Sequence, residues 1–186
     1  MMHADGGFGR VHLAEEGRPD PRPDRQPDRP LVTAQVESLT ARLEELKAFF
    51  PSHAAELDTY HDRRPLDPEY ADYLRLDAAG QVLLVTVRRG GVLIGYFVGF
   101  VRPALHYRST LTALQDIFYV LPTARDGSPT AALKLFRVVI DECRRRGVKE
   151  LRLGCKVAHD VSRLFEHFGA IEVERIWSIW LGDDHA

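Results

Sequence analysis

The chain has only two cysteines, Cys143 and Cys155, in 186 residues. One pair without metal-site spacing excludes a disulfide framework and a cysteine-based zinc site. It fits a reduced cytoplasm, where thiols stay free. No charge sign dominates: 25 Lys and Arg face 27 Asp and Glu. That excludes the basic footprint of a nucleic-acid binder or of a protein held on an acidic membrane surface. No apolar run approaches the roughly 20 residues that span a bilayer. Residues 1–10 contain no apolar signal core. No internal repeat is present.

What is present is a core's worth of apolar residues, 45 % of the chain, in a length suited to one domain with an appendage. The appendage is residues 1–30. Between Gly17 and Pro30, prolines alternate with charges. Such a stretch cannot bury apolar surface, and its prolines donate no ladder hydrogen bonds. It reads as a disordered tail ahead of a single domain over 31–186.

Order begins at Leu31. Residues 31–36 alternate like a short strand. Leu39, Leu43, Leu46 and Phe50 recur at helical spacing, and Pro51 is expected to stop that helix. Residues 53–60 suit a further helical turn. Asp67-Pro68 reads as an N-cap with proline at the first helical position, opening a helix to Gly80. Strands follow over 82–87 and 92–101, joined by a hairpin turn at Arg88-Arg-Gly-Gly91. A loop carries His106-Tyr107-Arg108-Ser109-Thr110. A third long strand covers 111–120 and stops near Pro122. Then come a helix over 129–146 ended by Gly147, a strand over 148–157, a short helix over 160–168, and a last long strand over 170–181. The sum is an α/β fold with a mixed, mainly antiparallel sheet flanked by helices on both faces.

The segment from Asp116 to Phe136 carries the functional signal. An apolar strand meets Pro122, then the polar turn Thr123-Ala-Arg-Asp-Gly-Ser128, then a helix. A turn that opens a helix presents backbone N–H groups and the positive end of the dipole, a ready site for an anion such as a pyrophosphate.

This turn resembles the pyrophosphate-binding motif of the GNAT N-acetyltransferases. The motif positions are filled by Arg125, Ser128 and Thr130, so Ser and Thr stand where the family has glycines; counted back from the helix instead, Ala132 takes the last small position and the loop is longer. The element order is similar to that family too. So are Arg64-Pro-Leu-Asp-Pro68, Leu93-Ile-Gly-Tyr96, Leu105-His-Tyr-Arg-Ser-Thr110, Asp116-Ile-Phe-Tyr119, Leu164-Phe-Glu-His-Phe-Gly169 and Trp177-Ser-Ile-Trp180. The resemblance spans about 31–181. It implies a GNAT-like fold and transfer of acetyl from acetyl-CoA, as co-substrate, directly to a primary amine of a small molecule or peptide. It implies that the backbone of Phe118, Tyr119 and Val120 lines the pantetheine arm. Arg125, Asp126, Gly127, Ser128, Thr130 and Ala131 would hold the pyrophosphate.

Asp116, on the strand beside the acetyl position, is the candidate general base; the alternative is a structural cap. His106 and Tyr107 are candidates for the substrate site, or else loop residues. His53 and Glu56, one helical turn apart, read as a solvated face; Lys156 and His159 read as surface. The family's tyrosine acid falls at Phe165, which has no hydroxyl. No metal site is expected. Trp177 and Trp180 have opposite parity, one for a core and the other for a pocket or a homodimer contact. The missing glycines and tyrosine leave open a second reading, a catalytically weak GNAT-fold module that binds coenzyme A or a protein. A third is a scaffold that docks through its tail.

Overall fold

The computed structural model describes residues 30–125 and 129–182. The tail over 1–29 and the turn residues Asp126, Gly127 and Ser128 lie outside them.

The centre of the molecule is β2 (Val82–Arg89), whose first six residues are all buried and, Thr86 apart, apolar. Such a run suits a strand covered on both faces. Leu83, Val85 and Val87 point into one core, while Val82 and Leu84 point into another. β2 pairs antiparallel with β1 (Val32–Glu37) and with β3 (Val92–Pro103). The β2–β3 turn uses Gly90 and Gly91 at φ 57° and 85°. Both values are left-handed, the geometry that a two-residue hairpin demands and glycine supplies. β3 pairs antiparallel with β4 (Leu111–Val120), and β4 pairs parallel with β5 (Glu150–Arg152). The sheet order is β1-β2-β3-β4-β5.

Helices cover both faces. On one lie α1 (Leu39–Lys47), α2 (Phe50–Leu57) and α3 (Tyr70–Ala78), over the cluster of Leu39, Leu46, Tyr96 and Tyr119. On the other lie α4 (Thr130–Arg145) and α5 (Ser162–His167), over Leu135, Phe136, Val139 and Phe165. The expected mixed sheet with helices on both faces is therefore present.

Four local expectations change. Pro51 does not end a helix but sits in the first turn of α2, where its missing N–H costs nothing. α3 is capped by Glu69, whose carboxylate accepts from the Ala71 N–H at 3.2 Å, rather than by Asp67. The strand expected over 148–157 narrows to Glu150–Arg152, because only those residues find ladder partners on β4. The strand expected over 170–181 is absent: the segment runs without turn or bend but pairs with no strand among the described residues.

α4 is tied to the sheet by charge. Glu142, 8 % exposed, accepts from Arg145 at 2.6 Å and from Arg146 at 2.8 Å. Arg146 also donates to the carbonyl of Val82 at 2.9 Å. The Arg145 hydrogen bonds, with Arg146 behind them, hold the Glu142 carboxyl down at about 2 against an ordinary 4.5. The folded state thus keeps the carboxylate ionised where the unfolded chain protonates it. The linked stability is present above about pH 4.5 and is lost as pH falls towards 2. Glu142→Gln is expected to cost about 1.5–3 kcal/mol at pH 7, the range for hydrogen bonds to a charged group. It should also flatten the acid limb of stability, read from urea unfolding between pH 7 and 3.

Candidate active site

The parallel ladder between β4 and β5 has three pairs, Thr112–Glu150, Ala113–Leu151 and Leu114–Arg152. There it ends, although β4 continues to Val120. The two strands part, as expected for the strands carrying Asp116 and Leu153, and a fork opens. Gln115 stands at it and donates from Nε2 to the carbonyl of Gly154 at 2.8 Å. Its Oε1 is buried and has no hydrogen-bond partner among the described residues. A buried orphan acceptor carries a penalty of roughly 1–3 kcal/mol until a donor reaches it.

The next residue is Asp116, and β4 bulges there. Val98 of β3 faces Ile117 and Gly99 faces Gln115, which leaves Asp116 as the extra residue. A bulge re-aims its side chain and frees the local backbone from the ladder. Asp116 is turned towards α3, where Tyr73 donates its phenol to Oδ2 at 2.5 Å. Burial first, then the Asp116 carboxylate, push the Tyr73 phenol well above its ordinary range. Tyr73 therefore keeps its proton and donates.

Around this carboxylate α2 brings residues that periodicity alone reads as solvated. His53 is half-buried, with its ring 5.8 Å from Tyr119 and 6.4 Å from Tyr96 between centroids. Burial lowers its pKa, against the pull of Asp116 and Asp58. The imidazole is thus held neutral near pH 7. One turn on, Glu56 forms an ion pair with Arg125 at 2.6 Å, and His159 Nδ1 lies 3.7 Å away. Burial first, then the charge of Glu56, raise the Tyr119 phenol. Beside them lies a cavity of about 330 Å³, lined by Asp58, Tyr60, Arg64 and Lys156 with Ser178, Ile179 and Trp180.

The other expected site residues fall as follows. Phe118, Tyr119 and Val120 form the stretch of β4 beyond the fork. Arg125 donates to the carbonyl of Val120 at 2.8 Å, and its guanidinium lies 5.6 Å from the centre of the Tyr119 ring. Thr130 and Ala131 open α4, whose first helical bond runs from Leu133 N–H to the carbonyl of Pro129. Asp126, Gly127 and Ser128 lie outside the described residues. His106 and Tyr107 are exposed in the β3–β4 loop. From the start of β4 to Asp116 is about 17 Å at some 3.3 Å per residue, so they are not part of the group around that carboxylate. Lys156 and His159 are exposed, as expected, yet both border the site. Phe165 is 7 % exposed and packs on Phe136 at 5.4 Å, so that position is core. Sequence reasoning passed over Tyr73, Gln115 and the burial of His53. No local pattern marks them, because each owes its place to contacts far along the chain.

Among the described residues, no group of three or more His, Cys, Asp or Glu could hold a metal ion. None of their helices is long and apolar enough to cross a membrane.

No protein-family model matches the sequence, and no curated protein matches it. Solved structures do. A ribosomal-protein-alanine N-acetyltransferase from Brucella melitensis biovar Abortus 2308 superposes with TM-score 0.63 at 21 % identity, over 82 % of this chain and 99 % of that one. A predicted acetyltransferase from Clostridium acetobutylicum, solved with acetyl-CoA, gives 0.59 at 13 % identity, over 84 % and 100 %. AAC(6')-Iy, in complex with a bisubstrate analog of CoA, gives 0.58 at 18 % identity, over 82 % and 99 %. With its open mixed sheet, its β4–β5 fork and these neighbours, the chain has the fold of the GNAT N-acetyltransferases.

Proposed function

We propose that the protein is an N-acetyltransferase that moves an acetyl group from acetyl-CoA directly to a primary amine. The observation that carries the proposal is the fork. β4 and β5 part at Leu114, a buried orphan carbonyl of Gln115 sits at the parting, and the bulged carboxylate of Asp116 follows at once. A pantetheine arm is a chain of amides, so its N–H groups suit both the orphan Oε1 and the backbone of Phe118, Tyr119 and Val120.

The chemistry asked of the chain is modest. Asp116 takes a proton from the acceptor ammonium, directly or through a water. The amine nitrogen then bonds to the thioester carbonyl carbon, the carbon–sulfur bond breaks, and the second amine proton passes to the departing thiolate. The thiolate needs little acid help, since thiols have pKa values near 8.5. That matters here because Phe165 brings only a ring. Asp116 is the carboxylate offered to a cationic amine there, since Glu56 is paired with Arg125 and Asp58 with Arg64. His106 and Tyr107 stand at the far end of β4, within reach of a long acceptor only. The arrangement also supports a second reading, a module that holds coenzyme A and turns over slowly. It rests on the core position of Phe165.

The cofactor turn is Arg125 to Ala131, at the start of α4, where the first N–H groups of a helix have no intrahelical partner. Arg125 adds charge, though α2 already claims part of it through Glu56. Arg125→Ala is expected to weaken acetyl-CoA binding by roughly 1–3 kcal/mol, read by isothermal titration. Glu56→Gln should strengthen it severalfold, because the guanidinium is then released from its ion pair. Unchanged affinity in both variants would remove Arg125 from the phosphate site. Loss of all acetyl-CoA binding by the wild-type chain would overturn the proposal itself. A thiol-release assay across a panel of amines then separates turnover from binding alone.

A further inference from the structure

The bulged carboxylate of Asp116 is exposed, and an exposed side chain turns between staggered rotamers unless a partner holds it. A base that turns freely loses rate, since a misplacement of about 1 Å is felt as roughly 10²-fold. One group holds this one. Tyr73 donates to Oδ2 at 2.5 Å, and among the described residues no other hydrogen bond reaches the carboxylate. Tyr73 is itself fixed. Its ring lies on Phe100, 5.8 Å between centroids. Phe100 of β3 faces Leu114 of β4, so the ring rests on the sheet beside the bulge. One turn further along α3, Asp77 accepts from the Thr40 N–H at 2.9 Å, the Thr40 hydroxyl at 2.7 Å and the Ser38 hydroxyl at 3.0 Å. The phenol therefore rides on a helix docked both on the sheet and on the start of α1. A phenylalanine would fill the same seat on Phe100. What the hydroxyl adds is the hydrogen bond to Asp116.

We propose that Tyr73 is the positioning residue for the base: it anchors Oδ2 of Asp116 and so aims Oδ1 at the acceptor ammonium. This rests on the acetyl-transfer reading and divides the work of the carboxylate within it. Oδ2 keeps the phenol hydrogen bond throughout. Oδ1, which accepts no hydrogen bond among the described residues, takes the proton. The ammonium loses that proton and becomes an amine with a free lone pair, while the carboxylate becomes a carboxylic acid. Burial, with the carboxylate beside it, keeps the Tyr73 phenol protonated, so the anchor holds without exchanging charge. The bulge sets where the side chain of Asp116 leaves the strand, and Tyr73 sets where its end points. Two constraints from different elements fix the carboxylate where either alone leaves it free to turn.

The test is Tyr73→Phe in the full chain, which removes the hydroxyl and keeps the ring on Phe100. In steady-state thiol release, kcat should fall about 10- to 100-fold. Affinity for acetyl-CoA by titration and the melting temperature should stay near wild type. In an Asp116→Asn background the same substitution should change the residual rate by less than about twofold, because residues that act as a unit are not additive. A merely structural tie would lower the rate by the same factor in both backgrounds. A second readout needs no turnover. Crystal structures should show Asp116 in one side-chain conformer in the wild type, and in a different one or several in Tyr73→Phe. A kcat within about twofold of wild type, equal losses in both backgrounds, or an unmoved Asp116 conformer would overturn the proposal. If the wild type releases no thiol from acetyl-CoA with any amine, the acetyl-transfer reading falls by itself. The conformer comparison then still decides whether Tyr73 holds the carboxylate.

Discussion

Asp116→Asn is expected to lower kcat for acetyl transfer by 10²–10⁴-fold, the usual contribution of a positioned general base. The affinity for acetyl-CoA should be almost unchanged. The substitution keeps the size of the side chain, and the Tyr73 phenol, which now donates to Oδ2 at 2.5 Å, can donate to an amide oxygen equally well. The bulge is a backbone feature and needs no carboxylate. What disappears is the ability to take a proton from the acceptor. Steady-state kinetics by thiol release, with titration of acetyl-CoA alongside, read the two quantities separately. A kcat within threefold of wild type would assign Asp116 to holding Tyr73 and α3, and proton removal would pass to the half-buried His53, which burial keeps neutral.

Phe136→Ala is expected to cause the largest loss of stability, about 3–5 kcal/mol, the range for deleting a buried phenylalanine ring. Its side chain is fully buried. Its ring meets Phe118 at 4.8 Å, Phe165 at 5.4 Å, Phe97 at 5.9 Å and Phe168 at 6.3 Å. These contacts join β3, β4, α4 and α5, so the cavity left behind cannot collapse from one side alone. The expected fall in melting temperature is on the order of 10 °C, at roughly 2–4 °C per kcal/mol for a domain of this size. Urea unfolding gives the free energy directly. A loss below about 1 kcal/mol would mean that the four neighbouring rings close over the gap. Phe118 belongs to β4 just beyond the fork, so weaker acetyl-CoA binding should accompany the loss.

Much of this architecture was legible in the order of the residues. The apolar residues of β2, the Gly90–Gly91 turn and the helical spacing of Leu133, Phe136, Val139 and Ile140, of which Phe136 and Val139 are buried, each depend on neighbours within a few positions. Local sterics and hydrogen bonding act at that range. Asp116 was visible in the sequence as a carboxylate on the strand ahead of the turn, and the family resemblance made it the candidate base.

Tertiary structure alone decided the rest. Tyr73 and Asp116 are 43 positions apart, and Glu56 and Arg125 are 69 apart. No periodicity links such pairs; they meet because α2 and α3 fold over the same face of the sheet. His53 became half-buried for that reason, although the spacing of α2 reads as a solvated face. The fork at Leu114 and the bulge at Asp116 follow from which strand lies beside β4, a matter of pairing rather than propensity. The last strand makes the same point. Residues 170–181 have the alternation of a strand, and alternation fixes which side chains share a face. A strand exists only when a neighbour accepts its backbone hydrogen bonds, and within the described residues that neighbour is missing.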